Sequence, residues 1–357
     1  MSNFRTFHAA QREPAQPRMP VIDPAGWEPG SLCDVGTWSY RFSDADVTEL
    51  LAATAAVRAA GIAPEQVDRA CFPLPGLSAV MHDVRRELMD GRGIVMLQGF
   101  PTTRLDRLGQ VLGYLGLGSY LGAPVSQNRE GHILGHVKDL GGDYADPVTR
   151  GYRTRAGLRF HADGGDYVGL LCLNAPKSGG ESRVASSVTV YNRILASRPD
   201  LADLLTQDYY RSLKGDTNPG DLPWMRQPMF CFTDGFFSAT GAGSAIDKAQ
   251  GLPGVPPMTA LQREAIEVYR TTVEECAADI PFEPGDVQFL NNFVTLHSRR
   301  TYEDWPEPDR KRHLLRLWLA DPQGRTIPRS QREGYEGLGI LLRGATLNAP
   351  LDVMAEA

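Results

Sequence analysis

Residues 282–300, FEPGDVQFLNNFVTLHSRR, decide the fold that we predict. A Pro-Gly-Asp turn opens this stretch, and the β-prone residues after it predict a strand over residues 287–290. The stretch continues to His297, whose imidazole is a candidate metal ligand. Fifteen residues further on, Arg312 begins the segment RHLLRLWL, which predicts a second strand over residues 313–319. We therefore expect a sheet that carries polar side chains at defined positions.

The alternation of side chains along RHLLRLWL separates the segment into two faces. One face carries Arg312, Leu314, Arg316 and Trp318, and the other carries His313, Leu315, Leu317 and Leu319. Two arginines that point into an apolar sheet are costly unless anions pair with them. The segment alone leaves open the alternative that both arginines form ion pairs at the surface.

A second candidate motif is His161-Ala162-Asp163, which precedes a β-rich run. In a strand, residues i and i+2 lie on the same face, so both side chains can reach one ion. Two histidines and one carboxylate that leave open positions suit Fe(II). His297 supplies the second histidine in this prediction. Strand parity disfavours Asp166 as the carboxylate unless Gly164 and Gly165 form a bulge.

Strands interrupted by helices, without regular βαβ alternation, predict a fold that is mainly β with α additions. The first forty residues are rich in proline, so we predict an extended N-terminal arm over 1–40 and a single domain over 41–357. The core strands are expected at 94–97, 168–173 and 182–185. Helices are expected at 43–61, 77–90, 105–115, 188–195 and 259–278.

Composition limits the classes of partner. The 357 residues are 42% hydrophobic and 22% charged with a net charge of -6, which is typical of a soluble globular protein. The acidic balance argues against nucleic acid, and no stretch reads as a membrane span or signal peptide. Five cysteines without a C-x-x-C pair favour reduced thiols in the cytoplasm. We expect a small-molecule partner, and the sequence leaves a homo-oligomer open.

Taken together, these residues resemble the taurine dioxygenase/clavaminate synthase-like family of Fe(II)/2-oxoglutarate-dependent oxygenases. The resemblance spans residues 91–320. It is carried by GRGIVMLQGF (91–100), FHADGGD (160–166), KSGGES (177–182), NNFVTLH (291–297) and RHLLRLWL (312–319). It implies a distorted double-stranded β-helix, or jelly-roll, flanked by helices, and Fe(II) bound by His161, Asp163 and His297.

The resemblance also implies residues for the organic ligands. Arg312 falls where the family binds the distal carboxylate of the co-substrate 2-oxoglutarate, and a guanidinium can bond a carboxylate in a fork. Ser182 stands in place of the family's assisting threonine. Arg316 falls where relatives hold an anionic group of the substrate, and Gln127 and Asn128 resemble positions that line the substrate pocket. We expect an amino acid or another small carboxylic acid.

The implied reaction consumes O2 and 2-oxoglutarate and releases succinate and CO2. Hydroxylation of a C–H bond is the default, and desaturation or cyclisation stays open. Asp163 argues for oxygenation, because halogenating relatives carry a small residue there. Two alternatives from other classes remain at this point. One is a non-catalytic cupin-like protein that binds a metal or a small acid, and the other is a zinc-dependent hydrolase, because the same ligands suit zinc.

Overall fold

The protein is described by a computed structural model. It describes residues 11–142, 149–327, 339–340 and 342–352. The described residues contain no helix that is both long and apolar enough to cross a membrane. The α-helices are α1 (Asp44–Ala59), α2 (Leu77–Asp90), α3 (Arg107–Gly118), α4 (Ser187–Ser197), α5 (Pro199–Leu204), α6 (Ser244–Ala249) and α7 (Ala260–Glu275).

The strands are short, and most of them belong to two sheets. In chain order they are β1 (Ser39–Arg41), β2 (Ile94–Gln98), β3 (Ala123–Pro124), β4 (Leu134–Val137), β5 (Leu158–His161), β6 (Tyr167–Asn174), β7 (Ser178–Gly179), β8 (Ser182–Ser186), β9 (Tyr209–Ser212), β10 (Trp224–Gln227), β11 (Phe230–Thr233), β12 (Phe236–Ala239), β13 (Ala277–Ile280), β14 (Val287–Asn291), β15 (Thr295–Arg299), β16 (Tyr302–Glu303) and β17 (His313–Ala320).

The larger sheet has the order β1-β2-β14-β6-β17-β3, with β4 also paired to β17. The smaller sheet has the order β13-β8-β15-β5. Apolar side chains from both sheets, including Leu314, Trp318 and Val184, form one buried cluster. This arrangement confirms the predicted mainly β class, a jelly-roll core with helices on its outer faces.

Helices cover both outer faces of the sandwich. Helices α2 and α3 pack on the larger sheet, and α1 packs on α3. Apolar residues of all three helices share one buried cluster with Leu315, Leu317 and Leu319 of β17. Helices α4 and α7 pack near the smaller sheet with Ala185 and Leu296. Because Leu314 and Trp318 point the other way into the inter-sheet core, the two faces predicted for RHLLRLWL are confirmed.

The predicted helix starts agree closely with the structure where capping residues mark them. Ser43 and Asp46 form the predicted capping box at the start of α1, and Thr259 and Gln262 form the one at the start of α7. The prediction that the last helix continues to residue 278 was wrong. Helix α7 ends at Glu275 because the next residues leave it to form β13, which pairs with β8.

The N-terminal residues that are described lie against the body of the protein. Trp27 and Trp38 are buried, and the indole of Trp27 donates to the Arg92 carbonyl. The Asp23 carboxylate accepts hydrogen bonds from the buried Arg325 side chain. Two short 3-10 turns, Pro29–Leu32 and Val35–Thr37, interrupt this segment. The division at residue 40 stays a prediction.

The close approach of α3 to Phe72 gives a stability prediction. A Cβ atom at Gly116 would clash with the buried Phe72 ring. We expect Gly116→Ala to lower the free energy of unfolding by about 1–3 kcal/mol, because overpacking displaces neighbouring side chains. Urea denaturation measures the change. Gly30→Ala is the control, since no atom lies within 4 Å of its added Cβ. Equal midpoints for both variants would contradict this packing.

Candidate active site

The pairing of two strands brings the candidate histidines together. His161 ends β5 and His297 lies in β15, and the two residues are direct cross-strand partners. Opposite residues of an antiparallel pair have neighbouring Cβ atoms on one face of the sheet. Their ring centroids are 4.3 Å apart. Two imidazoles that are distant in the sequence therefore face the same point.

Asp163 reaches this point from a loop, so one part of the sequence argument was wrong. Strand β5 ends at His161, and strand parity does not apply to Asp163. Instead, the Asn292 side chain accepts a hydrogen bond from the Asp163 backbone N–H at 3.2 Å and donates to the Gly165 carbonyl at 2.8 Å. Gly164 has no room for a side chain beside Trp318. These contacts fix the loop after β5.

His161, Asp163 and His297 form a compact cluster of donor groups. One ligand atom from each lies within 4.8 Å of the others, and no second group of this kind occurs in the described part of the chain. The Nε2 atoms of His161 and His297 are 3.9 and 3.6 Å from Asp163 oxygens. The set fits Fe(II), for which two imidazoles and one carboxylate on one face are a typical site.

The protonation of the cluster also suits a metal. The His161 ring hydrogen-bonds the Arg159 carbonyl through Nδ1, which leaves the Nε2 lone pair free for a metal. Burial and the neighbouring His297 lower the pKa of His161 to about 3. Burial favours the neutral form of Asp163, but Arg316, His297 and His161 together hold its pKa well below its ordinary value. A neutral imidazole and an ionised carboxylate are the ligand forms.

A cavity of about 260 Å³ opens beside the cluster, and His161, Asp163, Arg316 and Trp318 are among its lining residues. The Arg316 guanidinium lies 4.8 Å from the centroid of Tyr152 and 4.9 Å from that of Trp318. Its Nη1 is 3.4 Å from both oxygens of Asp163. A cation held in this way sits next to the space where a ligand would bind.

Arg312 directly precedes β17, the strand that carries Arg316, and it lines a second cavity of about 210 Å³. The described lining of this cavity contains none of the three metal-ligand candidates. Arg312 is 3% exposed, and its Nη1 has no hydrogen-bond partner among the described residues. Burial lowers its pKa, which Tyr302 partly offsets. A buried guanidinium with an orphaned donor fits a carboxylate ligand such as that of 2-oxoglutarate.

The other predicted ligand residues make internal contacts. The Ser182 hydroxyl donates to the side-chain carbonyl oxygen of Gln288 at 2.8 Å. The Nε2 atom of Gln288 is a buried donor without a partner in the described segments. The Gln127 amide accepts from Nε of Arg316 and donates to the Ile133 and Arg316 carbonyls. Asn128 hydrogen-bonds His132. Gln127 and Asn128 are absent from the cavity wall, so their contact with substrate stays a prediction.

Sequence reasoning missed four residues at this site. Asn292, which holds the loop of Asp163, stands in the NNFVTLH segment but carried no functional signal of its own. Tyr152, Arg211 and Lys214 line the cavity from segments without any recognisable motif. In the segment that contains Lys214, the sequence predicts a turn only, because Gly215 follows the lysine. A turn does not indicate what the lysine side chain faces.

Comparisons with known proteins identify the family of this chain. The family model described as "Taurine catabolism dioxygenase TauD, TfdA family" matches residues 59–318. FR-33289 synthase of Streptomyces rubellomurinus is 31% identical over 329 residues, which cover 88% of this chain and 94% of that protein. The taurine hydroxylase-like protein SAT17 of Stachybotrys chartarum is 29% identical over 294 residues, which cover 79% and 74%.

Solved structures show the same fold. An asparagine oxygenase in complex with Fe(II), hydroxyasparagine and succinate aligns with a TM-score of 0.60 and 18% identity, and the alignment covers 85% of this chain and 99% of that one. The non-haem iron oxygenase OrfP, in complex with iron and alpha-ketoglutaric acid, aligns with a TM-score of 0.59 and 16% identity, covering 79% and 94%.

Fold and site together define a non-haem oxygenase that depends on Fe(II), 2-oxoglutarate and O2. The chain belongs to the TauD/TfdA family of taurine catabolism dioxygenases. The predicted reaction class and cofactors are thereby confirmed.

Proposed function

We propose that this oxygenase oxidises an unactivated C–H bond of a small anionic molecule, with Fe(II) held by His161, Asp163 and His297. The observation that carries the proposal is the position of the three donor groups beside the 260 Å³ cavity. His161 and Asp163 line this cavity, and His297 belongs to the same cluster of donor groups. The bound iron, together with 2-oxoglutarate and O2, supplies the oxidising power. The residues of the chain position the substrate and exclude water.

We assign the distal carboxylate of 2-oxoglutarate to Arg312. Arg312 directly precedes β17, and a strand rises about 3.3 Å per residue, so the backbones of Arg312 and Arg316 are separated by about 13 Å. This spacing leaves room for a short diacid between the metal ligands and Arg312. The orphaned Nη1 of Arg312 and the orphaned Nε2 of Gln288 are both donors suited to carboxylate oxygens. Ser182, bonded to Gln288, keeps an assisting role in this proposal.

We assign an anionic group of the substrate to Arg316. Asp163 lies 3.4 Å from Arg316, but a metal ion bound to Asp163 would neutralise part of the same carboxylate charge. Gln127 accepts from Nε and holds the guanidinium in place without neutralising it. Tyr152 and Trp318 confine it from the sides. Arg316 then needs an external anion, and an amino acid or another small acid supplies one.

A panel of acids tests this assignment. Each acid is compared with its neutral amide or ester by substrate-stimulated succinate formation and O2 uptake, with Fe(II), 2-oxoglutarate and ascorbate present. We expect the acids to have a KM lower by about ten-fold or more, because a charge-assisted hydrogen bond to Arg316 is lost in the neutral analogues. Neutral analogues that stimulate succinate formation equally well would remove the anchoring role from Arg316.

We also propose a cytoplasmic location for the protein. All five cysteines are free, and three of them, Cys172, Cys231 and Cys276, are buried, which supports a reducing compartment. The proposed domain division places the N-terminal arm at residues 1–40 and the oxygenase domain at residues 41–357. We propose hydroxylation as the default outcome of the reaction. Product analysis by mass spectrometry distinguishes hydroxylation, a gain of one oxygen, from desaturation or cyclisation, a loss of two hydrogens.

A further inference from the structure

Two further cations line the cavity that contains Asp163 and Arg316. Arg211 lies in β9, and Lys214 lies in the turn that follows it. The Arg211 guanidinium bonds only to uncharged groups: the Thr240 hydroxyl at 2.6 Å, the Gly241 carbonyl at 2.8 Å and the Met229 sulfur at 3.0 Å. The Nε atom of Arg211 is buried and has no partner within residues 11–142, 149–327, 339–340 and 342–352. No carboxylate in the described residues pairs with it.

Lys214 is also without a counter-ion. Within the described ranges its ammonium group has no hydrogen bond and no ion pair. Burial and the nearby charges of Arg150 and Lys248 lower the pKa of Lys214 to about 8, and Asp163 only partly offsets them. Lys214 is therefore mostly protonated at neutral pH, although its surroundings disfavour the charge. Two other cations differ, since the buried Arg325 pairs with Asp23 and the partly buried Arg150 pairs with Asp216.

The backbone at Lys214 adds an independent observation. The Asp216 N–H donates to the Leu213 carbonyl across Lys214 and Gly215, whose φ angles are 52° and 84°. A turn with two positive φ angles favours glycine, asparagine or aspartate at its central positions. Lysine is strained there, so the turn holds its side chain at a defined place at a cost in stability. A charge needed in the cavity accounts for a lysine at this position.

We propose that Arg211 and Lys214 form a second anion-binding subsite, which holds a doubly negative phosphoryl group of the substrate. This inference rests on the proposed function and narrows its substrate class. Two unpaired cations three residues apart on one segment can be neutralised by one group that carries two charges, whereas a single carboxylate would leave one of them unpaired. Arg316 then binds a separate anionic group, and the C–H bond to be oxidised lies between the two anchors.

Binding of simple anions to metal-free protein tests the subsite. In that state Arg316 is paired with Asp163, so in the lining of this cavity, as far as it is described, Arg211 and Lys214 are the cations without a carboxylate partner. The probes are methylphosphonate, methyl phosphate and methanesulfonate, titrated by calorimetry. We expect both phosphoryl probes to bind, and the singly charged methanesulfonate to bind about ten-fold more weakly or worse. Equal affinity for all three probes would overturn the proposal.

Variants of Lys214 assign the binding to this residue. Lys214→Gln should weaken methylphosphonate by about ten-fold or more, and Lys214→Arg should restore most of the affinity. Lys177→Gln is the matched control, because Lys177 pairs with Glu303 on the surface. Circular dichroism checks that the variants are folded. Unchanged binding by Lys214→Gln would overturn the proposal.

Competition with 2-oxoglutarate separates the substrate from the co-substrate. Saturating 2-oxoglutarate should leave methylphosphonate bound, because the distal carboxylate is assigned to Arg312. Displacement that depends on Lys214 would assign the subsite to 2-oxoglutarate and overturn the proposal. These titrations need neither metal nor O2, so their result is independent of the succinate assay that tests the proposed function.

Discussion

Replacement of Asp163 by alanine is expected to abolish 2-oxoglutarate turnover while the protein stays folded. The carboxylate is the only anionic donor in the three-residue cluster, and its loss also leaves Arg316 without its charged partner. Outer-shell residues of metal sites alone change metal affinity by about 10–100-fold, so loss of a direct ligand should cost more than about a hundred-fold. His161→Ala and His297→Ala should have the same effect.

Two measurements check this prediction. Fe(II) or Co(II) affinity is measured by titration under anaerobic conditions, and succinate formation is measured in the complete assay. A matched pair of substitutions provides the control: Asp163→Asn removes a ligand charge, whereas Asp166→Asn changes a carboxylate that accepts from the Asp321 backbone N–H. Ordinary activity of the Asp163→Asn protein, or its loss in Asp166→Asn alone, would move the metal site elsewhere.

Arg312→Ala is expected to raise the KM for 2-oxoglutarate by about 30-fold to several thousand-fold. The estimate follows from about 2–5 kcal/mol for truncating one partner of a buried, hydrogen-bonded charge pair. Arg312 is buried, and its Nη1 has no partner in the part of the chain that the structure describes, so the co-substrate would supply the missing acceptor. The affinity for iron should change far less, because Arg312 contacts none of the metal-ligand candidates.

Steady-state kinetics at varied 2-oxoglutarate measure this effect. Arg312→Lys should retain part of the affinity, since it keeps the charge but loses the fork geometry. Arg310→Ala is the control, because Arg310 stacks on Trp305 at the surface. An unchanged KM in Arg312→Ala would transfer the carboxylate-binding role to Arg316.

Local patterns predicted the elements well where chemistry marks their ends. The capping boxes of α1 and α7 and the alternation along β17 were readable because helix caps and strand faces depend on residues close together in the chain. The end of α7 was not readable, since Ala277–Ile280 leaves the helix only to pair with β8. At that point, strand pairing between distant segments outweighed the local preference for helix.

The sequence by itself predicted the fold class, the candidate ligands and the two arginines. Strand alternation and the His-x-Asp spacing are local features, and the resemblance to a known family depends on the order of motifs along the chain. Only the tertiary structure decided how they meet. Cross-strand pairing sets His161 against His297, and Asn292, rather than strand parity, holds the loop of Asp163. Arg211 and Lys214 reach the same cavity from a hairpin without a motif. Chain spacing carries no information about such contacts, because they depend on how distant segments pack against one another.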